Sequence, residues 1–86
     1  MKIADAMNTY NLALKIILDA GFSIKINDND DDSFDWEAIR GNDTFIASDP
    51  LRLLGLIFIG KEYGEKWNEQ TTPNHYDLIL DYHYKD

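Results

Sequence analysis

Cysteine is absent from this chain, so it has no disulfide framework, no thiolate-held metal or iron–sulfur centre and no thiol nucleophile. That usage fits a reducing compartment, and the expected location is cytoplasmic. Histidine is nearly absent too. His75 and His83 lack both the i,i+4 spacing and the third ligand of a zinc site, so they are read as structural and no metal ligand is assigned. Basic residues are scarce, with 8 Lys and Arg against 16 Asp and Glu and a formal net charge of −8. A field of that sign repels nucleic-acid phosphates and anionic lipid, which argues against direct binding to nucleic acid or membrane. Long apolar runs are missing as well. The longest, Leu53 to Ile59, falls far short of the ~20 residues needed to span a bilayer. Asp5, Asn8 and Asn11 interrupt the first segment where a signal peptide would be continuously apolar. The expectation is a soluble, unexported protein.

What is present is enough for a core. Of 86 residues, 44% are apolar and 13% aromatic, which suits one small folded domain over residues 1–86 and not an acidic disordered tail. The stretch from Ser48 to Trp67 organises it. Asp49 or Ser48 suits a helix cap, Pro50 the first helical position and Gly64 the stop. Between them Leu51, Leu53, Leu54, Leu56, Ile57, Phe58 and Ile59 leave almost no polar stripe, the pattern of a helix buried on all sides. Gly55 and Gly60 are read as permitting close helix–sheet contact, and Trp67 as folding back over one end of the core.

Before that helix, apolar residues at Ile3, Met7, Tyr10, Leu14, Ile17 and Leu18 recur at helical spacing, which predicts a helix from Lys2 to Ala20 ended by Gly21. Leu12 and Ile16, beside that stripe, are read as widening the buried face, with a small contact surface as the alternative. Phe22 to Asn27 and Phe34 to Arg40 alternate as half-buried strands. The expected pairing sets Ile26 against Phe34, Ile24 against Trp36 and Phe22 against Ala38, with Lys25 opposite Asp35 on the solvent face. Gly41-Asn42-Asp43 is turn chemistry leading to a third strand from Thr44 to Ser48. With a Gly41-Asn42 turn, Phe45 and Ala47 face the core and Ile46 faces outward; one more turn residue reverses this. After Thr72-Pro73, Tyr76, Ile79, Leu80 and His83 share a helical face, although Tyr76, Leu78, Leu80, Tyr82 and Tyr84 also alternate as a strand would. The helix is the preferred reading. The expected fold is then a two-layer α+β sandwich in the order αβββαα, its three-stranded antiparallel sheet packed by all three helices.

Site chemistry is thin. Asp28, Asp30, Asp31 and Asp32 begin like a calcium loop, but Ser33 stands where the sharp-turn glycine belongs and Ile39 where the bidentate glutamate belongs. A solvated turn is the ordinary reading, with a low-affinity divalent-cation site as a weaker alternative. Asp35 and Glu37 alternate with core residues on an open sheet face, without the enclosure that gives a carboxylate a catalytic pKa. No phosphate loop, dinucleotide fingerprint or nucleophile elbow is present. No catalytic residue and no cofactor is expected, and the chain is not read as an enzyme.

From Trp36 to Trp67, the succession Trp36-x-Ala38, Phe45-x-Ala47, Asp49-Pro50-Leu51, Leu53-Leu54-Gly55-Leu56, Gly64 and Trp67 resembles small uncharacterised bacterial proteins grouped as domains of unknown function. The resemblance covers a third to a half of the chain and consists of core and cap residues. It implies a compact bacterial α+β domain and no particular activity.

Surface recognition remains. Ile39 and Ile46 on the outer sheet face, with Tyr82 and Tyr84 near the end, are the candidate protein-binding residues of an acidic interaction module, a homodimer being one form of it. The rival reading is an acidic inhibitor or immunity-type protein whose Asp28 to Glu37 stretch mimics nucleic-acid phosphates.

Overall fold

The computed structural model describes residues 1–85. The chain runs through α1 (Met7–Asp19), β1 (Ser23–Asp28), β2 (Phe34–Arg40), β3 (Asp43–Ala47), α2 (Pro50–Tyr63), a 3-10 segment (Gly64–Glu69) and α3 (His75–His83). The class is α+β and the order αβββαα, as expected.

The local signals around α2 hold. Asp49 caps the helix by accepting from the Arg52 N–H at 2.8 Å, Pro50 opens its first turn, and Gly64 ends it at φ 62°, a conformation that side chains resist. Leu53 is wholly buried against Ile17 of α1, Phe22, and Ala38 of β2, and these four residues form the centre of the core. Around them pack Ile24, Trp36, Phe45, Ala47, Leu54 and Ile57. Phe22 and Phe45 meet edge to face at 5.9 Å, an arrangement favoured by the ring quadrupoles. Close approach of helix to sheet depends on Gly60, which has no side chain to keep the Phe45 ring away; Gly55 faces open space.

The sheet order is β1-β2-β3, all antiparallel. Gly41-Asn42 makes a two-residue turn between the Arg40–Asp43 pair, so Phe45 and Ala47 join the core face and Ile46 points outward. In the β1–β2 hairpin the pairing is displaced by two residues from the expected one. Ile26 faces Trp36, Ile24 faces Ala38, and Lys25 faces Glu37 instead of Asp35. Side-chain parity survives a two-residue shift, so the alternation could not distinguish the two registers. The turn decides. Asn27 and Asp28 continue β1, and a five-residue loop closes on an Asn29 N–H to Ser33 carbonyl bond of 2.9 Å, with Asp32 in the left-handed region at φ 66°. Aspartate tolerates that conformation better than most residues.

Helix α1 begins later than the spacing predicts. Thr9 accepts the Ala6 N–H through its hydroxyl at 3.0 Å, which starts the helix at Met7 and leaves Ile3 outside it. The buried side of α1 is Ala13 and Ile17, flanked by the half-buried Tyr10 and Leu14. Met7 and Leu18 are exposed, as are Leu12 and Ile16, so the latter two do not widen the core face. At the other end of α1, the Arg40 guanidinium donates to the Ala20 carbonyl at 2.9 Å and stands 4.4 Å from the centre of the Phe22 ring. It thereby ties the helix end to the far end of β2.

The last helix forms but is not packed on the sheet. Asn74, not Thr72, is its cap, accepting from the Asp77 N–H at 3.2 Å. The packed pairs of elements are β1–β2, β2–β3, α1–α2, α2–β3, α2–β2 and α2 with the 3-10 segment, and α3 belongs to none of them. The radius of gyration is accordingly 15.6 Å, where a compact chain of this length has about 12 Å.

Candidate functional site: an uncovered apolar trough and helix

Helix α2 is apolar nearly all round, yet one sheet and one other helix cannot enclose a cylinder. Leu53 is at 0% exposure and Ile57 is half-buried, while Leu56 and Ile59, on another side of the same helix, remain 39% and 44% exposed. The absence of a polar stripe predicts burial on all sides. The structure places that missing stripe against solvent instead. Phe58 and Tyr63 are also open.

Leu56 and Ile59 form one wall of a trough of about 300 Å³, and the other wall is the edge strand β3 through Phe45 and Ile46. Gly60 lets Phe45 come close, and Trp67 of the 3-10 segment stands at the rim, 57% exposed. Trp67 therefore borders this trough instead of sealing the core. A second, more polar recess of about 550 Å³ shares Phe45, Gly60 and Trp67 with the trough and includes Arg40, Asp43, Lys61 and Glu65.

The residues proposed for binding are only partly brought together. Ile46 is half-exposed and contributes to the trough from the edge strand. Ile39 lies half-buried on the outer face between its cross-strand partners Ser23 and Thr44, diagonal to Ile46, which pairs with Glu37. Across that face Glu37 is paired with Lys25 at 3.5 Å and accepts from Asn27 Nδ2 at 2.7 Å. Tyr82 and Tyr84 are exposed at the end of α3, a helix packed on no strand. Along that helix Tyr76, Leu78, Ile79 and Leu80 are also 40–76% exposed. Leu56, Ile59 and Trp67, whose apolar pattern predicts an interior position, are instead among the open residues.

The aspartate loop is not a gathered site. Asp28 belongs to β1, and Asp31 is bonded to the Ser33 hydroxyl and amide, which hold its carboxyl below the usual carboxylate range. Asn29 donates to Asp35 at 3.3 Å. Among the described residues no three histidine or carboxylate side chains come together as metal ligands. No helix among them is long and apolar enough to cross a membrane. Comparison with family models, with curated proteins and with solved structures finds no match to this chain.

Proposed function

We propose that this chain is a protein-interaction module, acting by apolar surface recognition and not by catalysis. One observation carries the reading: the described residues expose 7518 Å², where a folded 10.0 kDa monomer exposes about 5200 Å². The excess, about 2300 Å², is accompanied by exposed apolar side chains along the trough and α3. Within that excess lie the exposed apolar side chains Leu56, Ile59, Trp67, Leu78, Ile79 and Leu80, and contiguous exposed apolar surface marks a binding face in a folded protein. Trp67, Tyr63, Tyr76 and Tyr82 are of the residue types that anchor protein interfaces.

The rival reading, phosphate mimicry by the acidic hairpin, draws less support. Asp31 is bonded to Ser33, Asp35 to Asn29 and Glu37 to Asn27, so these carboxylates brace their own hairpin. Asp28, Asp30 and Asp32 stand exposed beside them.

The test compares the chain with a Leu56→Asp, Ile59→Asp variant for solution mass and for proteins retained from a host extract. Both substitutions are at exposed positions, and the circular dichroism spectrum checks that the fold persists. Loss of association in the variant supports the reading. A wild-type chain that neither self-associates nor retains a partner sinks it.

A further inference from the structure

The recess where the end of α1, the β2–β3 turn and the end of α2 meet differs in chemistry from the apolar trough beside it. Its volume of about 550 Å³ falls in the range of small-molecule sites. Ala20 and Gly64, the residues that end α1 and α2, both line it. The negative ends of two helix dipoles therefore lie at one recess, where they favour positive charge. Phe22, Phe45 and Trp67 bring aromatic rings to its wall, and Asp43 and Glu65 bring carboxylates. We propose that this recess binds a small organic ammonium ion with an apolar body, a ligand class separate from the protein partner proposed above.

Three features carry this. The first is an imbalance among the charged groups of the recess. Arg40 is already engaged, with its guanidinium donating to the Ala20 carbonyl at 2.9 Å and standing 4.4 Å from the centre of the Phe22 ring. Lys61 holds its ammonium 6.0 Å from the centre of the Phe58 ring, which is not part of the recess. Asp43 and Glu65, in contrast, form no ion pair among the described residues. The second feature is Arg40 itself, since a helix-end carbonyl and an aromatic face together hold a cation there. The end of α2 repeats those parts: Gly64 closes the helix, Glu65 follows, and Trp67 offers a ring that is 57% exposed. The third is the field of the whole chain. A net charge of −8 draws cations in and opposes an anionic ligand. Between the charged groups the wall is Phe45, Ile57 and Gly60, which suits an apolar body on the ligand. A bare metal ion fits less well, because among the described residues no three histidine or carboxylate side chains come together.

Amide NMR of the whole chain tests this with benzyltrimethylammonium as the probe, benzyl alcohol as its neutral counterpart and benzenesulfonate as its anionic one. The expected result is a saturable shift of the Asn42, Asp43, Gly64 and Glu65 amides and of the Trp67 indole, half-complete at millimolar concentration. Benzyl alcohol should bind at least about five-fold more weakly, the worth of one exposed cation–π contact, and benzenesulfonate should not bind at these residues. An Asp43→Asn, Glu65→Gln variant changes two exposed positions. It should weaken binding of the cation by about five-fold or more while leaving benzyl alcohol unchanged. Three results would overturn the site. One is a shift that never saturates and spreads over Asp28 to Asp32, which is attraction to negative charge anywhere on the chain. Another is equal binding of benzyl alcohol, which would make the recess merely apolar. The third is a double variant that binds the cation as the wild type does. Each of these leaves the interaction reading standing, because that reading is tested at Leu56 and Ile59, outside this recess.

Discussion

Phe45 lies so close to Gly60 that a β-carbon on the glycine would stand 2.7 Å from Cε1 of the ring. The contact sets how near α2 comes to β3, and so the width of the trough between them. Gly60→Ala is expected to destabilise the fold by about 1–3 kcal/mol, because the half-buried Phe45 ring must give way and lose part of its packing on Phe22 and the helix. Gly55→Ala, five residues earlier on the same helix and facing open space, is expected to stabilise by about 0.5–1 kcal/mol through helix propensity. Denaturant melts of the two variants should move in opposite directions; a shared sign would mean that the helix does not sit on the ring.

Leu53 and Leu56 separate the interior of α2 from its open side. Leu53→Ala removes a fully buried side chain at the centre of the core and should cost about 2–5 kcal/mol. Leu56→Ala should cost the single chain less than about 1 kcal/mol, since the side chain is 39% exposed. Its effect should instead appear as weaker association. Equal losses in the two variants, measured under dilute conditions, would contradict the assignment of sides.

Asp49 holds the entrance of α2 twice, through the Arg52 N–H at 2.8 Å and the Arg52 guanidinium at 3.2 Å. Asp49→Ala should cost about 1 kcal/mol, most of it from the lost cap, because the arginine of the ion pair is 75% exposed. Asp49→Asn, which keeps the acceptor and drops the charge, should recover most of the loss. If it recovers none, the charge and not the cap holds the helix end.

Asp31 offers a pH test. Its hydrogen bonds to the Ser33 hydroxyl and amide hold its folded pKa below the unfolded value, so its stabilising contribution is complete above the usual carboxylate range and disappears as pH falls through the folded pKa. At neutral pH the hairpin should be insensitive to small pH changes on account of this group. Carbon NMR titration of the Asp31 carboxyl should give a midpoint below that of an ordinary aspartate, and Ser33→Ala should move it upward. A midpoint unmoved by Ser33→Ala would mean that the bond does not persist in solution.

Local chemistry was legible in the sequence where a single residue type answers a single backbone need. Asp49, Pro50 and Gly64 bound α2, and Gly41-Asn42 turns β2 into β3 with Phe45 inward, because each supplies a donor-acceptor match or a φ that few alternatives can. Where two answers satisfy the same periodicity, the sequence could not choose. Ile24 and Ile26 stay on the inner face in either hairpin register, and only the Asn29–Ser33 loop closure selects the observed one. The open side of α2 was not legible, for a geometric reason. Leu56, Ile59 and Trp67 are apolar enough for an interior, but hydrophobicity states a preference for burial and does not count the elements available to provide it. Ile39 was placed on the outer face, where it sits, but its polar neighbours Ser23 and Thr44 become visible only once both strand registers are known.

The bond from Arg40 to the Ala20 carbonyl joins the first helix to a residue made twenty positions later. On a ribosome the carbonyl that follows α1 must therefore stay bound to water until the whole hairpin has emerged after it. Ile17 and Phe22 wait longer, since Leu53 completes their core from α2. Without Leu53, helix α1 and the hairpin lack the side chain that joins their apolar faces, so neither is expected to be firmly ordered alone. Folding begins in earnest when the α2 segment emerges.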